Sequence, residues 1–193
     1  SPIDVGPELR ERLWSRGHAI VLTSASLATG GDFAFIRSRL GLDEELVQPV
    51  DELVVRSSID PAVQALLYAP ADLPEVDHPT FADRAAERLA ALFEVTPGGA
   101  FVLCTSNRSL RALAPRLARL ARRPVLSQGD GPKSALLQRF REAGDAVLVA
   151  TMSFWEGVDV PGAALRLVAI DRLPFPVPSD PIHAARAASL ERR

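Results

Sequence analysis

Apolar positions along the chain follow two kinds of pattern. Short continuous apolar runs that stop at small polar residues predict buried strands at 100–104 (AFVLC), 146–150 (AVLVA) and 165–170 (LRLVAI). Shorter or more exposed versions at 18–23 (HAIVLT), 53–55, 64–68 (QALLY) and 125–127 predict further strands. Between them lie stretches with apolar residues on one helical face. One covers 7–17, with Pro7 in the first turn, Leu9, Leu13 and Trp14 on one side and Gly17 at the end. Another covers 32–41, with Phe33, Ile36 and Leu40 together. A third starts at Asp77 or Thr80 and runs to about 95, placing Phe81, Ala85, Leu89, Leu92 and Phe93 inward. Helices are also predicted over 110–121, 134–142 and 181–192. Pro70, Pro74 and Pro79 make 69–79 a loop. Alternating strands and helices predict an α/β fold with right-handed crossovers, built on one doubly wound, mainly parallel sheet of about six strands.

The richest chemistry follows the strand at 146–150. Thr151 and Ser153, the aromatics Phe154 and Trp155, and then Glu156, Gly157 and Asp159 leave its carboxyl end. Ligands of open α/β sheets bind at that end, and Gly157 allows the backbone to turn and approach closely. Aromatics after a buried strand usually pack, so Phe154 and Trp155 are read as core. Thr105 and Ser106 leave the strand at 100–104, where hydroxyls can cap the next helix or, with its free N–H groups, hold a phosphate; both roles are compatible. Thr23, Ser24 and Ser26 stand similarly after 18–23. Arg108, Arg111, Arg116, Arg119, Arg122 and Arg123 are read mostly as a solvated helix face. Two other segments look suggestive and are rejected. The acidic run 43–46 follows a helix end rather than an apolar strand, so it is not a Mg²⁺-binding pair. The segment 128–134 has Pro132 where a phosphate-binding loop needs glycine before Lys133, and is read as a loop capping the next helix.

Composition narrows the class. At 193 residues the chain fits one domain with a sizeable core. Its net charge of −2 gives no global signal for nucleic acid, which leaves room only for a local groove. A lone cysteine, Cys104, excludes an internal disulfide and a cysteine-built metal or iron–sulfur site, and His18, His78 and His183 lack ligand spacing, so no metal site is expected. No apolar run approaches the ~20 residues of a membrane span, and the expected location is the cytoplasm.

The run SFWEGVDVPG (153–162) followed by DRLPFPVPSDP (171–181) resembles motif V and the segment after it in the DinG/XPD branch of superfamily 2 DNA helicases. TSASL (23–27) resembles that branch's motif III, with Ser26 in place of its threonine, and 105–107 resembles motif IV, with Asn107 where relatives carry an aromatic. The resemblance spans 23 to about 186 and implies a RecA-like, P-loop NTPase-type three-layer fold. In family terms the whole chain, 1–193, is the second motor domain of an ATP-dependent DNA helicase of repair or replication, ending before motif VI. The resemblance also implies roles. Glu156, Gly157 and Asp159 would face ATP in the cleft between two motor domains; Thr105, Ser106, Thr151, Ser153 and Arg172 would touch single-stranded DNA; Thr23, Ser24 and Ser26 would couple the two. ATP and Mg²⁺ belong to the full protein, and an iron–sulfur cluster, where the family has one, belongs to the first motor domain, the partner this half needs. The chain alone is expected to be monomeric and inactive as an ATPase. The alternative is a non-enzymatic RecA-like domain that binds nucleic acid or protein. An unrelated nucleotide- or sugar-binding enzyme lacks support, since no G-x-G-x-x-G follows any strand.

Overall fold

The structure, a computed structural model, describes residues 3–42, 49–55, 57–175 and 180–190. The acidic run 43–46 and part of the 171–181 segment lie outside these residues. The chain forms two compact units, one of residues 1–67 with 176–193 and one of 68–175.

The second unit holds the sheet. Its strands are β1 (Ala100–Leu103), β2 (Val125–Ser127), β3 (Val147–Ala150) and β4 (Leu167–Ile170), all parallel, in the order β2-β3-β1-β4. Helix α4 (Phe81–Val95) precedes β1, α5 (Asn107–Leu120) lies between β1 and β2, and α6 (Lys133–Ala143) lies between β2 and β3. The chain passes from β1 to β2 through α5, then reverses direction from β2 to β3 through α6. Right-handed crossovers then require α5 and α6 on opposite faces, and the packing agrees. Phe81, Ala86 and Phe93 of α4 and Leu113 and Leu117 of α5 share a core with Val102, Val147 and Val149. Leu136 and Phe140 of α6 share another with Phe101, Leu103, Leu126 and Leu148. The result is the three-layer α/β arrangement expected of a RecA-like domain. β1 and β3 are buried at every position because helices cover both faces, which explains why they read as unbroken apolar runs.

Gly98 and Gly99 follow α4 and lie where another part of the chain passes close. A Cβ on Gly99 would stand 2.2 Å from the Ala164 carbonyl oxygen and 2.6 Å from the Phe140 ring. The segment returning from β3 crosses the start of β1 there, with the Arg166 N–H donating to the Gly99 carbonyl at 2.9 Å. Arg123 donates to the carbonyls of Phe93 and Gly98, satisfying the end of α4.

The first unit contains α1 (Gly6–Arg12), α2 (Ala34–Leu40), the short α3 (Pro61–Gln64) and α7 (Pro181–Leu190). A 3-10 turn, Trp14–Arg16, prolongs α1, and the Trp14 indole N–H donates to the Leu40 carbonyl at 2.8 Å, tying α1 to α2.

Three strand expectations fail. Residues 18–23, 53–55 and 64–68 form no strand, so the described residues hold four strands rather than about six. Val21 is 88% exposed, Leu53 80% and Leu66 93%. β propensity alone does not make a strand; it needs an edge to bond and a surface to cover it, and these segments have neither among the described residues. β4 also departs from expectation. It is an edge strand, with Leu167 and Ala169 packed on the α4/α5 core but Val168 and Ile170 exposed. Among the described residues no helix is long and apolar enough to cross a membrane.

The tight crossing at Gly99 generates a prediction. Gly99→Ala forces a methyl group against a backbone oxygen that cannot swing away, so stability falls by about 1–3 kcal/mol. Urea unfolding followed by circular dichroism checks this; an unchanged midpoint contradicts it.

Candidate functional site

Because the strands are parallel, their carboxyl ends share one edge. Leu103 pairs with both Ala150 and Ile170, and Ser127 pairs with Val149, so the four strands finish nearly level. The loops leaving this edge carry Thr105 and Ser106, Gln128, the motif V residues from Thr151 to Asp159, and Asp171 and Arg172. The expected DNA and nucleotide residues of this unit therefore all leave one end of one sheet. Thr23, Ser24 and Ser26 belong to the other unit. They are exposed there, the Ser24 hydroxyl accepting the Ser26 N–H at 3.2 Å.

The loop after β3 is built around Thr151. Its N–H and its hydroxyl both donate to Oε1 of Gln128, at 2.7 and 2.9 Å. A 3-10 turn, Met152–Phe154, follows, closed by the Phe154 N–H on the Thr151 carbonyl at 2.9 Å. Phe154 is buried, and Trp155 packs half-buried against the same α6-side core, its indole N–H enclosed without a partner. Both aromatics thus act as packing groups. Lys133 at the start of α6 donates to the carbonyls of Ser153 and Glu156, the latter at 3.2 Å, and its ammonium lies 5.2 Å from the centre of the Phe154 ring. Gly157 takes φ +65°, the left-handed turn glycine favours. Beyond it, Arg141 donates to the Asp159 carbonyl at 2.7 Å. The Ser153 hydroxyl and the Glu156 and Asp159 carboxylates are exposed and have no partner among the described residues.

The start of α5 is more occupied. Ser106 is its N-cap, its hydroxyl accepting the Ser109 N–H at 3.0 Å. Oδ1 of Asp171 accepts the Thr105 N–H at 3.0 Å and the Arg172 N–H at 2.8 Å, so this carboxylate ties the end of β1 to the end of β4. Its Oδ2 is enclosed and unpartnered. The Arg172 guanidinium pairs with Asp77 at 3.1 Å. What an anion could still meet is the Thr105 hydroxyl and the first N–H groups of α5, which have no intrahelical acceptor. Cys104 beneath them is fully buried; burial first, and the Asp171 charge second, push its thiol up to about 12.

Gln128, Lys133, Arg141 and Asp171 were not singled out from the sequence. Gln128 and Lys133 sit in the segment expected to cap α6, but α6 begins after Pro132 with no side-chain cap. Proline offers no side-chain acceptor, and the polar groups around it reach the motif V loop instead. The available signal was a glutamine placed directly after a strand, at the ligand end of the sheet.

The groups on this edge can each meet a different part of a ligand. Exposed carboxylates can accept sugar hydroxyls. Hydroxyls and helix N–H groups can meet phosphate oxygens. Among the described residues no glycine-rich loop cradles a phosphate chain, and no group of three or more His, Cys, Asp or Glu is arranged for a metal ion.

Residues 89–193 match the family of helicase C-terminal domains. The chain belongs to that family. It is 40% identical over 186 residues to the ATP-dependent DNA helicase YoaA of Escherichia coli K12, covering 96% of this chain and 28% of that one. It is 36% identical over 195 residues to the ATP-dependent helicase DinG of Mycobacterium tuberculosis H37Rv, covering 100% of this chain and 29% of DinG. It is 31% identical to the 3'-5' exonuclease DinG of Bacillus subtilis, covering 96% of this chain and 20% of that one. This helicase C-terminal domain thus spans less than a third of the length of these relatives.

Two outcomes test the site's construction. Ser106→Ala removes the α5 cap and lowers stability by about 1 kcal/mol in urea unfolding. Cys104, buried and with its thiolate disfavoured at neutral pH, reacts with iodoacetamide at pH 8 only when the chain unfolds, since the thiolate is the reactive form. Rapid labelling of the native chain contradicts that.

Proposed function

We infer that this helicase C-terminal domain, taken as residues 1–193, works as the second motor domain of an ATP-dependent DNA helicase of repair or replication. The observation that carries the reading is the gathering of Thr105, Ser106, Thr151, Ser153, Glu156 and Asp159 at the carboxyl edge of one parallel sheet. The ATP-dependent helicase activities for which the YoaA and DinG relatives are named support it.

In this reading the edge serves two ligands. Asp159 accepts a hydroxyl of the ATP ribose, Glu156 orients the cleft or its neighbouring basic groups, and Gly157 lets the loop turn between them. ATP, with its Mg²⁺, supplies phosphoryl-transfer free energy when bound, and its phosphates are held by the first motor domain of the longer protein. The hydroxyls of Thr105, Thr151 and Ser153, with the start of α5 behind Ser106, meet the phosphates of single-stranded DNA. Such contacts read the backbone, so binding is indifferent to sequence. Arg172 contributes charge to that track only as far as Asp77 releases it. Thr23, Ser24 and Ser26 couple nucleotide state to DNA contact. The domain acts in the cytoplasm, is monomeric by itself, and turns over no ATP without its partner domain. Any iron–sulfur cluster lies in that partner domain.

Single-stranded DNA binding by this chain, followed by fluorescence anisotropy across a salt series, tests the DNA half of the reading. Thr151→Ala and Ser153→Ala each weaken binding about 3- to 10-fold. Neither changes the slope of log affinity against log salt, because a neutral hydroxyl displaces no counterion; loss of a charged phosphate contact would reduce the slope by about 0.7. Absence of binding at low salt, or binding indifferent to both changes, overturns it.

A further inference from the structure

We propose that Gln128 and Lys133 are positioning residues that set the conformation of the motif V loop, and so decide which of its groups can meet a ligand. The inference deepens the reading of the DNA edge given above. Gln128 comes from the connection between β2 and α6 and Lys133 from the first position of α6, and both act on the backbone of a loop that is distant in sequence.

The geometry assigns each a distinct job. A backbone N–H can only donate, so the group of Gln128 that faces the Thr151 N–H must be its amide oxygen. The Thr151 hydroxyl donates to that same oxygen. A hydroxyl has a single proton, so while this bond stands Thr151 offers a ligand only lone pairs. A phosphate oxygen needs a donor. Thr151 can therefore donate to phosphate only by giving up Gln128, and Gln128 then keeps the loop in place through the Thr151 N–H alone.

Lys133 works two residues further on. Its ammonium draws the Ser153 and Glu156 carbonyls together and lies over the Phe154 ring. That closes the turn from which the Ser153 hydroxyl and the Glu156 carboxylate project outward. The two bonds to Gln128 are part-buried, where water competes less for them than at an open surface, whereas those of Lys133 are exposed. Phe154, packed in the α6-side core, anchors the middle of the loop between the two contacts.

Amide hydrogen exchange by NMR on the 193-residue chain tests the positioning directly. Gln128→Leu, which keeps bulk but removes the acceptor, speeds exchange of the Thr151 N–H about tenfold, as loss of one hydrogen bond worth about 1.4 kcal/mol does. Gln128→Glu, which keeps an oxygen, restores protection. Lys133→Met speeds exchange across the 154–155 turn, and Lys133→Arg restores it. The β3 amides keep their protection throughout, whereas a general loss of stability would move them equally. Unchanged exchange at Thr151 in Gln128→Leu, or equal acceleration in β3, overturns the proposal. Anisotropy on the same variants separates this from the DNA reading. With the positioning role, Gln128→Leu weakens single-stranded DNA binding, and its effect is not additive with that of Thr151→Ala. Altered exchange with undiminished affinity for DNA overturns the link to the ligand. Wild-type protein that binds no DNA overturns the DNA reading, while the exchange data still decide the loop.

Discussion

A strand covered by helices on both faces has no water within reach, so each of its backbone groups must bond to a neighbouring strand. β1 and β3 are in that position, and the rest of the 68–175 unit follows from it. They must lie inside the sheet, flanked by β4 and β2. Their side chains must be apolar on both faces, which makes two cores rather than one. The polar chemistry is driven off the strands and onto the loops that leave their carboxyl ends. Even the close passage at Gly99 belongs to this constraint, because the chain must return over the α6 face to place β4 beside β1.

At that edge, structural and functional demands compete for the same atoms. Ser106 caps α5, Thr151 donates to Gln128, and Asp171 holds the Thr105 N–H. Each is a group that a phosphate would also seek or, for Asp171, a charge that a phosphate would avoid. An edge with these bonds in place is organised but partly closed. On the proposed reading, a ligand would be met by exchanging internal bonds for external ones. Glu156, Asp159 and Ser153 differ, because their side chains carry no internal bond among the described residues and stand open to a second body.

The layered α/β class was legible from local pattern. AFVLC and AVLVA admit little but buried strands, and the helices at 81–95, 107–120 and 133–143 showed an apolar face with plausible ends. HAIVLT and QALLY have the same local character and form no strand here. Their apolar residues show an affinity for burial without naming a surface to bury against, and periodicity carries no information about partners. β4 misled for a related reason. An edge strand and a central strand can share a composition, and only the neighbours tell them apart.

The site divides in the same way. Residue identity after a strand end was enough to nominate Thr105, Ser106, Thr151, Ser153, Glu156 and Asp159, because the direction of a parallel strand dictates where its following loop emerges. The sequence by itself therefore determined the class of fold, the edge that carries chemistry and most of the residues on it. The bonds of Gln128, Lys133, Arg141 and Asp171 could not be foreseen, since each acts on atoms 18 to 66 positions away in the chain. Which hydroxyls and N–H groups are already bonded, and so which remain for a ligand, was decided only by the tertiary structure. A hydrogen bond depends on where two groups meet in space, and for these pairs the meeting point exists only once the sheet has brought its strand ends level.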